Sequence, residues 1–274
     1  MPNLDPATVA GFGDEWSRFD QSLLPAEERL RLFSDYFAIF PWHRLSTKSI
    51  GVDIGCGSGR WALLAAPKVG TLHCVDPSDA LDVAIANCHR LGNVEFHRAS
   101  VDDLPFEDES LDFAYSLGVL HHVPDTAGAI RSIARKLKPE APLLLYLYYA
   151  FDGRPWWFRA LWRVSDLMRR GISRLPSMIR YAVSQLIAVG LYWPLARTAR
   201  VLESFGMLTS SFPLAAYRDS SLYTMRTDAL DRFGTRLERR FTRAQIEAML
   251  RTTGFDHIEF SERAPYWCVV AEKQ

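Results

Sequence analysis

The stretch Gly51-Val52-Asp53-Ile54-Gly55-Cys56-Gly57-Ser58-Gly59 constrains this chain more than any other. An apolar strand ending in an acid runs straight into three glycines at alternate positions. Glycine turns the backbone through positive φ and lets N–H groups come close to a ligand at the start of a following helix. Such a junction belongs in an open α/β sheet, where ligands bind beyond the carboxyl ends of the strands. A phosphate-binding loop would need Lys and then Ser or Thr after its last glycine, whereas Gly59 is followed by Arg60 and Trp61. Gly57, Gly59 and Ala62 keep the spacing of a dinucleotide fingerprint, but Asp53 at the loop entrance would then repel a doubly charged pyrophosphate. An acid there suits a cationic ligand better. Asp76 closes the next apolar run, Thr71-Leu72-His73-Cys74-Val75, where a carboxylate can take ribose hydroxyls.

Hydrophobic periodicity supplies the rest of the sheet. Short apolar runs at 49–54, 71–75, 93–97, 111–116 and 142–149 predict buried strands, with helical segments between the first four and after the fourth. That alternation means a parallel sheet. The helix after the fourth strand opens at Pro124-Asp125 and aligns Ala129, Ile130, Ile133, Ala134 and Leu137 on one face. Residues 151–238 interrupt the pattern. A last helix then starts at Phe241-Thr242, with Thr242 and Gln245 spaced as a capping box, and ends at Gly254; strands at 257–262 and 266–272 follow.

Val52 to Gly59, Asp76, Leu104-Pro105-Phe106, Leu111-Asp112-Phe113, Val119-Leu120-His121-His122-Val123-Pro124-Asp125 and Leu137-Lys138-Pro139 fall in the order seen in class I S-adenosylmethionine methyltransferases, which this chain resembles. The resemblance covers roughly residues 46–150 and the last thirty or so. It implies an α/β fold with a doubly wound, seven-stranded, mostly parallel Rossmann-like sheet. It divides the chain into an N-terminal helical lid (1–45), a cofactor-binding core (46–150), a helical insertion capping the acceptor (151–238) and the C-terminal part of the core (239–274). It implies S-adenosylmethionine as cofactor and S-adenosylhomocysteine as product. Asp53 and the loop Gly55, Cys56, Gly57 and Gly59 would hold the methionine end, Asp76 the ribose, and Leu117 a neighbouring wall. Aligning on Leu104-Pro105-Phe106 puts Ser100 where the family usually has an Asp for the adenine, with Val101 supplying an N–H; Asp102 could substitute if the loop shifts. Phe12-Gly13-Asp14-Glu15-Trp16-Ser17-Arg18-Phe19 is similar to an element that lies over the cofactor mouth, with Trp16 against the cofactor and Phe12 and Phe19 toward the acceptor.

Acceptor chemistry is expected at the end of the fourth strand. A hydroxyl stays protonated at neutral pH, so O-methylation profits from a base near pH 7, and His121 and His122 sit there. His122 is favoured over His121 by its place against Pro124-Asp125. Asp152 is a second base candidate, and Tyr148 and Tyr149 are expected to line the acceptor pocket with Tyr146. Gly118, where related quinone O-methyltransferases place an acid, argues against a metal. An amine or lipid headgroup acceptor is the alternative, since a neutral amine needs no strong base. A cofactor-binding regulator without transferase activity is the other class.

The 274 residues carry 32 basic and 32 acidic side chains, so no overall charge points to nucleic acid. Cys56, Cys74, Cys88 and Cys268 form no C-x-x-C pair and read as reduced structural thiols, and residues 1–20 show no secretory signal, so a cytoplasmic setting is expected. The charge is uneven, however. Residues 151–205 hold nine Arg against Asp152, Asp166 and Glu203, interleaved with Trp156, Trp157, Trp162 and aliphatic runs. The segment therefore reads as a substrate cap, as an interfacial element (155–205) meeting an anionic membrane that holds the acceptor, or as a homodimer contact.

Overall fold

The computed structural model describes residues 3–151, 154–207 and 212–274. Its contacts divide the chain into one unit of residues 1–21, 29–150 and 237–274 and a second of 22–28 and 151–236.

The first unit begins with α1 (Pro6–Arg18), started by Asp5, whose carboxylate accepts from the Thr8 N–H. Helix α2 (Ala26–Tyr36) follows, its residues from Arg29 on belonging to this unit. The chain then alternates through β1 (Ile50–Ile54), α3 (Ala62–Ala65), β2 (Thr71–Val75), α4 (Ala80–Cys88), β3 (Val94–His97), β4 (Phe113–Leu117), α5 (Thr126–Lys136) and β5 (Pro142–Tyr146). The second unit holds α6 (Trp156–Ile172), α7 (Ser177–Ile187), a π-helical turn (Ala188–Tyr192), α8 (Trp193–Ser204) and α9 (Leu222–Gly234). The chain returns to the first unit with α10 (Arg243–Thr252), β6 (Phe255–Phe260) and β7 (Cys268–Lys273).

The strands form one seven-stranded sheet in the order β3-β2-β1-β4-β5-β7-β6. The first five pair in parallel, and β7 runs antiparallel to both β5 and β6. This is the doubly wound sheet that the alternation predicts. Each strand of a sheet covered on both faces must be apolar throughout, and all five residues of β4 are buried. One face packs Val52, Ile54, Ala114, Leu143 and Leu145 with α5 and α10 residues such as Ile130, Ile133, Ile246 and Leu250. The other packs Leu72, Cys74, Phe113, Tyr115 and Leu144 with the aromatics Phe33, Phe37 and Phe40. Thr242 and Gln245 close the expected capping box on α10.

Three sequence expectations need correction. The helix after the glycine loop is only four residues long, because Pro67 tightens the next turn into a 3-10 helix, Ala66–Lys68. No helix joins β3 to β4, where Pro105 and the turn at Glu107–Ser110 break the chain. Strand β5 ends at Tyr146 rather than 149, its last ladder partner being Cys268 of β7.

Candidate functional site

The glycine loop crosses the carboxyl ends of β1, β2 and β4. Gly57 has φ +54°, and a Cβ there would stand 3.0 Å from the Trp16 Nε1, so only glycine lets the α1 indole lie on the loop. A Cβ on Gly55 would meet Val119 of the β4 exit at 2.4 Å. The loop is thus pressed between α1 and the segment that carries the histidines.

Its N–H groups are consumed internally. Those of Gly55 and Cys56 donate to the Val75 carbonyl at 2.8 and 3.1 Å, and Gly59 donates to Cys56 at 2.9 Å. Gly57 donates to the Asp76 Oδ2 at 3.0 Å. These four N–H groups are therefore spent within the protein rather than aimed at a ligand. Asp76 receives the Ser78 N–H and hydroxyl on Oδ1, at 2.8 and 2.6 Å, which fixes its carboxylate at the loop. Burial raises its pKa, partly offset by these hydrogen bonds.

Asp53 is fully enclosed at the end of β1, and its Oδ2 has no hydrogen-bond partner among the described residues. The Tyr115 hydroxyl faces it without closing a hydrogen bond of normal geometry. Burial dominates, with repulsion from Asp76 added and only partial relief from Tyr115 and Arg60, so the Asp53 pKa is pushed up to about 8. The Ser58 hydroxyl is likewise buried and unpartnered among the described residues. A buried acid with an unfilled oxygen and a second, fixed carboxylate suit a ligand with an ammonium and a hydroxylated ribose. The S-adenosyl cofactors carry both groups.

The other cofactor candidates fall as follows. Cys56 is buried beside Cys74, and that thiol first, then burial, pushes its own thiol well above the usual range, so it serves packing. Leu117 ends β4 inside the same apolar cluster. Val101 is buried and Ser100 half-buried, its carbonyl accepting from the Asp103 N–H in a turn; exposed Asp102 is engaged by the Asn3 N–H.

The histidines lie in the 3-10 turn Leu120–His122 that leaves β4. His122 Nδ1 sits 2.6 Å from the Leu237 carbonyl, which makes Nδ1 the N–H donor and Nε2 the basic nitrogen. Phe12 meets the His122 ring edge-on at 5.0 Å. Phe12 and Trp16 are four residues apart on α1, hence on one face, so a single helix touches both the glycine loop and His122. His121 stacks on Tyr148 at 3.8 Å, and neither of its ring nitrogens has a hydrogen-bond partner among the described residues. Burial, then His122 and Arg240, hold its pKa well below the ordinary value, so it stays neutral.

Not every acceptor-side candidate is brought together. Tyr149 packs instead against Tyr266 and Trp267, at 5.9 and 6.0 Å. Phe19 is a buried residue at the end of α1. Asp152 lies outside the described residues. Two features escaped the sequence reading. Leu237, which orients His122, is more than a hundred residues away, and no local signal marks a backbone carbonyl. His73, Glu95 and His97 are gathered by the β2–β3 register, with potential metal-ligating atoms all within 4.8 Å of one another. His73 Nδ1 and His97 Nε2 are 3.1 Å apart, within hydrogen-bonding distance, so that group satisfies itself.

Residues 52–145 match the family described as Methyltransferase domain. An uncharacterized methyltransferase, YcgJ, of Bacillus subtilis is 35% identical over 102 residues, 36% of this chain and 40% of that protein. The ubiquinone biosynthesis O-methyltransferase of Hahella chejuensis is 31% identical over 153 residues, 52% of this chain and 61% of that protein. The chain thus spans about half the length of these two relatives. A crystal structure of an S-adenosylmethionine-dependent methyltransferase from Methanosarcina mazei shares the fold with a TM-score of 0.51 at 20% identity, over 86% of this chain and 98% of that one.

Proposed function

For a chain that belongs to the class I S-adenosylmethionine-dependent methyltransferases, we propose methyl transfer to a hydroxyl of a small or lipid-linked acceptor, with His122 as the base. The observation that carries this reading is the span of α1, which sets Trp16 on the glycine loop and Phe12 on His122. The cofactor site and the basic nitrogen then share one covering helix. When bound, S-adenosylmethionine supplies an electrophilic methyl carbon. Asp53 and the loop hold the methionine ammonium, and Asp76 holds the ribose diol. Trp16 and Phe12 exclude water over the reacting centre, where displacement gains from alignment more than from covalent help. His122 takes the acceptor hydroxyl proton on Nε2, while its Nδ1–H stays on the Leu237 carbonyl and fixes the ring. His121, neutral and stacked on Tyr148, backs that ring and does not titrate near pH 7.

The test is His122→Gln, which keeps a hydrogen-bonding side chain but removes the base. Turnover on an extracted acceptor should fall about 100-fold or more, while S-adenosylhomocysteine affinity stays within about twofold. Full activity in H122Q would exclude the base and favour an amine acceptor. Cofactor binding with no transfer to any fraction would instead indicate a regulator.

A further inference from the structure

The helices of the second unit are built inside out. On α6, the polar face points into the unit: Arg169 Nε donates to Asp166 at 2.8 Å, and Arg169 Nη1 donates to the Thr235 and Arg236 carbonyls at 2.8 and 2.9 Å. Arg232 from α9 adds a 3.1 Å bond to the Ser165 hydroxyl. On α7, Ser184 is buried, and Tyr181 and Gln185 take the Arg226 guanidinium of α9 at 3.0 and 2.6 Å. The buried apolar cluster of the unit is small, Ala188, Ala196 and Ala229 with Tyr192, Met225 and Phe233.

Many large apolar side chains of α6 and α7 are outside. Trp157, Leu161, Val164, Leu167 and Met168 recur at helical spacing on the exposed face of α6, and Met178, Ile179, Leu186, Val189 and Trp193 do so along α7 and into α8. Leu167 is 72% exposed, Met178 68% and Leu186 73%, where a water-facing helix would carry charge. Beside the α6 apolar stripe, 3.6-residue periodicity stacks exposed Arg159, Arg163 and Arg170 in one row. The one acid of α6, Asp166, is buried among arginines, and Arg159 and Arg163 have no carboxylate partner among the described residues.

We propose that this face docks on an anionic lipid bilayer, with the α6 and α7 apolar stripes entering the headgroup boundary and the arginine row meeting lipid phosphates. Exposed Trp156 and Trp157 at the start of α6 are the residue type that settles at such a boundary. A second copy of the chain on the α6 face would bring one arginine row against another, which charge disfavours. No helix among the described residues is long and apolar enough to cross a membrane. The proposal stands on the second unit and does not depend on the reaction.

The experiment is co-sedimentation of the full-length protein with vesicles of phosphatidylcholine alone or with about a third phosphatidylglycerol. Binding is expected to the anionic vesicles only and to weaken as salt screens the arginines over roughly 10 Å at 0.1 M. R159E/R163E should weaken it by about 30-fold or more, from roughly tenfold or less per basic residue lost and further for each added acid. L161E/L167E should abolish it. S-adenosylhomocysteine affinity, unchanged in both variants, reports that the chain is still folded. Wild-type protein left in the supernatant at low salt overturns the proposal, as does equal binding by either variant. Sedimentation velocity showing a dimer that L167E dissociates, without vesicle binding, would assign the face to a second copy.

Discussion

Asp53 offers a sharp quantitative test. Burial pushes its pKa up to about 8 from the ordinary 3.8, so the folded protein without cofactor binds a proton there that the unfolded chain releases. For an acid whose folded pKa is raised, the native state holds more protons between those two values, so stability falls as pH rises through that window. From pH 4 to 7 the span is about three pH units at about 1.4 kcal/mol each, a cost on the order of 4 kcal/mol, as an upper bound. Asp53→Asn removes it, so without cofactor D53N should melt several degrees higher than wild type at pH 7 and by a similar amount less so at pH 4. Cofactor binding reverses the sign. An ammonium against Asp53 requires the carboxylate, and at pH 7 a group with pKa about 8 is about nine-tenths protonated. Binding S-adenosylhomocysteine should therefore release close to one proton, and affinity should rise about tenfold from pH 6 to 7. D53N should bind about 10- to 100-fold more weakly, the usual worth of a hydrogen bond to a charged group, and should release no proton. Calorimetry in two buffers of different ionisation heat reads the proton directly. No proton release, with D53N no more stable than wild type, would refute the reasoning.

Other expected outcomes follow from single contacts. Gly57→Ala puts a Cβ in a positive-φ position against Trp16, and S-adenosylhomocysteine binding measured by calorimetry should fall about tenfold or more. Arg169→Met takes one of three arginines from Asp166 and leaves the Thr235 and Arg236 carbonyls without their donor, and should cost about 1 to 3 kcal/mol in urea unfolding. Thr242→Ala removes the hydroxyl half of the α10 capping box and should cost about 1 kcal/mol by the same assay.

The fold was legible where local chemistry decides it. Strand periodicity, the Asp125 and Thr242 caps and the alternation of β1 to β5 needed no tertiary information, and the antiparallel close came with the family resemblance. The short α3 and the helix-free β3–β4 link were missed because Pro67 and Pro105 override apolar content. In the site, residue types were legible but their commitments were not. The spacing of Gly55, Gly57 and Gly59 predicts a tight turn, yet whether its N–H groups face a ligand depends on Val75 and Asp76, which lie on another strand. The insertion was legible as amphipathic; which way its apolar face points is set by α9, whose Arg226 and Arg232 draw the polar sides of α7 and α6 inward.

The most direct measurement is product identification. The protein is incubated with S-adenosylmethionine carrying an isotopically labelled methyl group and with fractionated small-molecule and lipid extracts, and the labelled product is isolated. Methyl-group NMR should then place the label on an oxygen, in a product heavier by one methylene, with label incorporation by H122Q reduced about 100-fold or more while it still binds cofactor. Label on nitrogen, undiminished transfer by H122Q, or no labelled acceptor in any fraction would contradict a hydroxyl methyltransferase that uses His122 as its base.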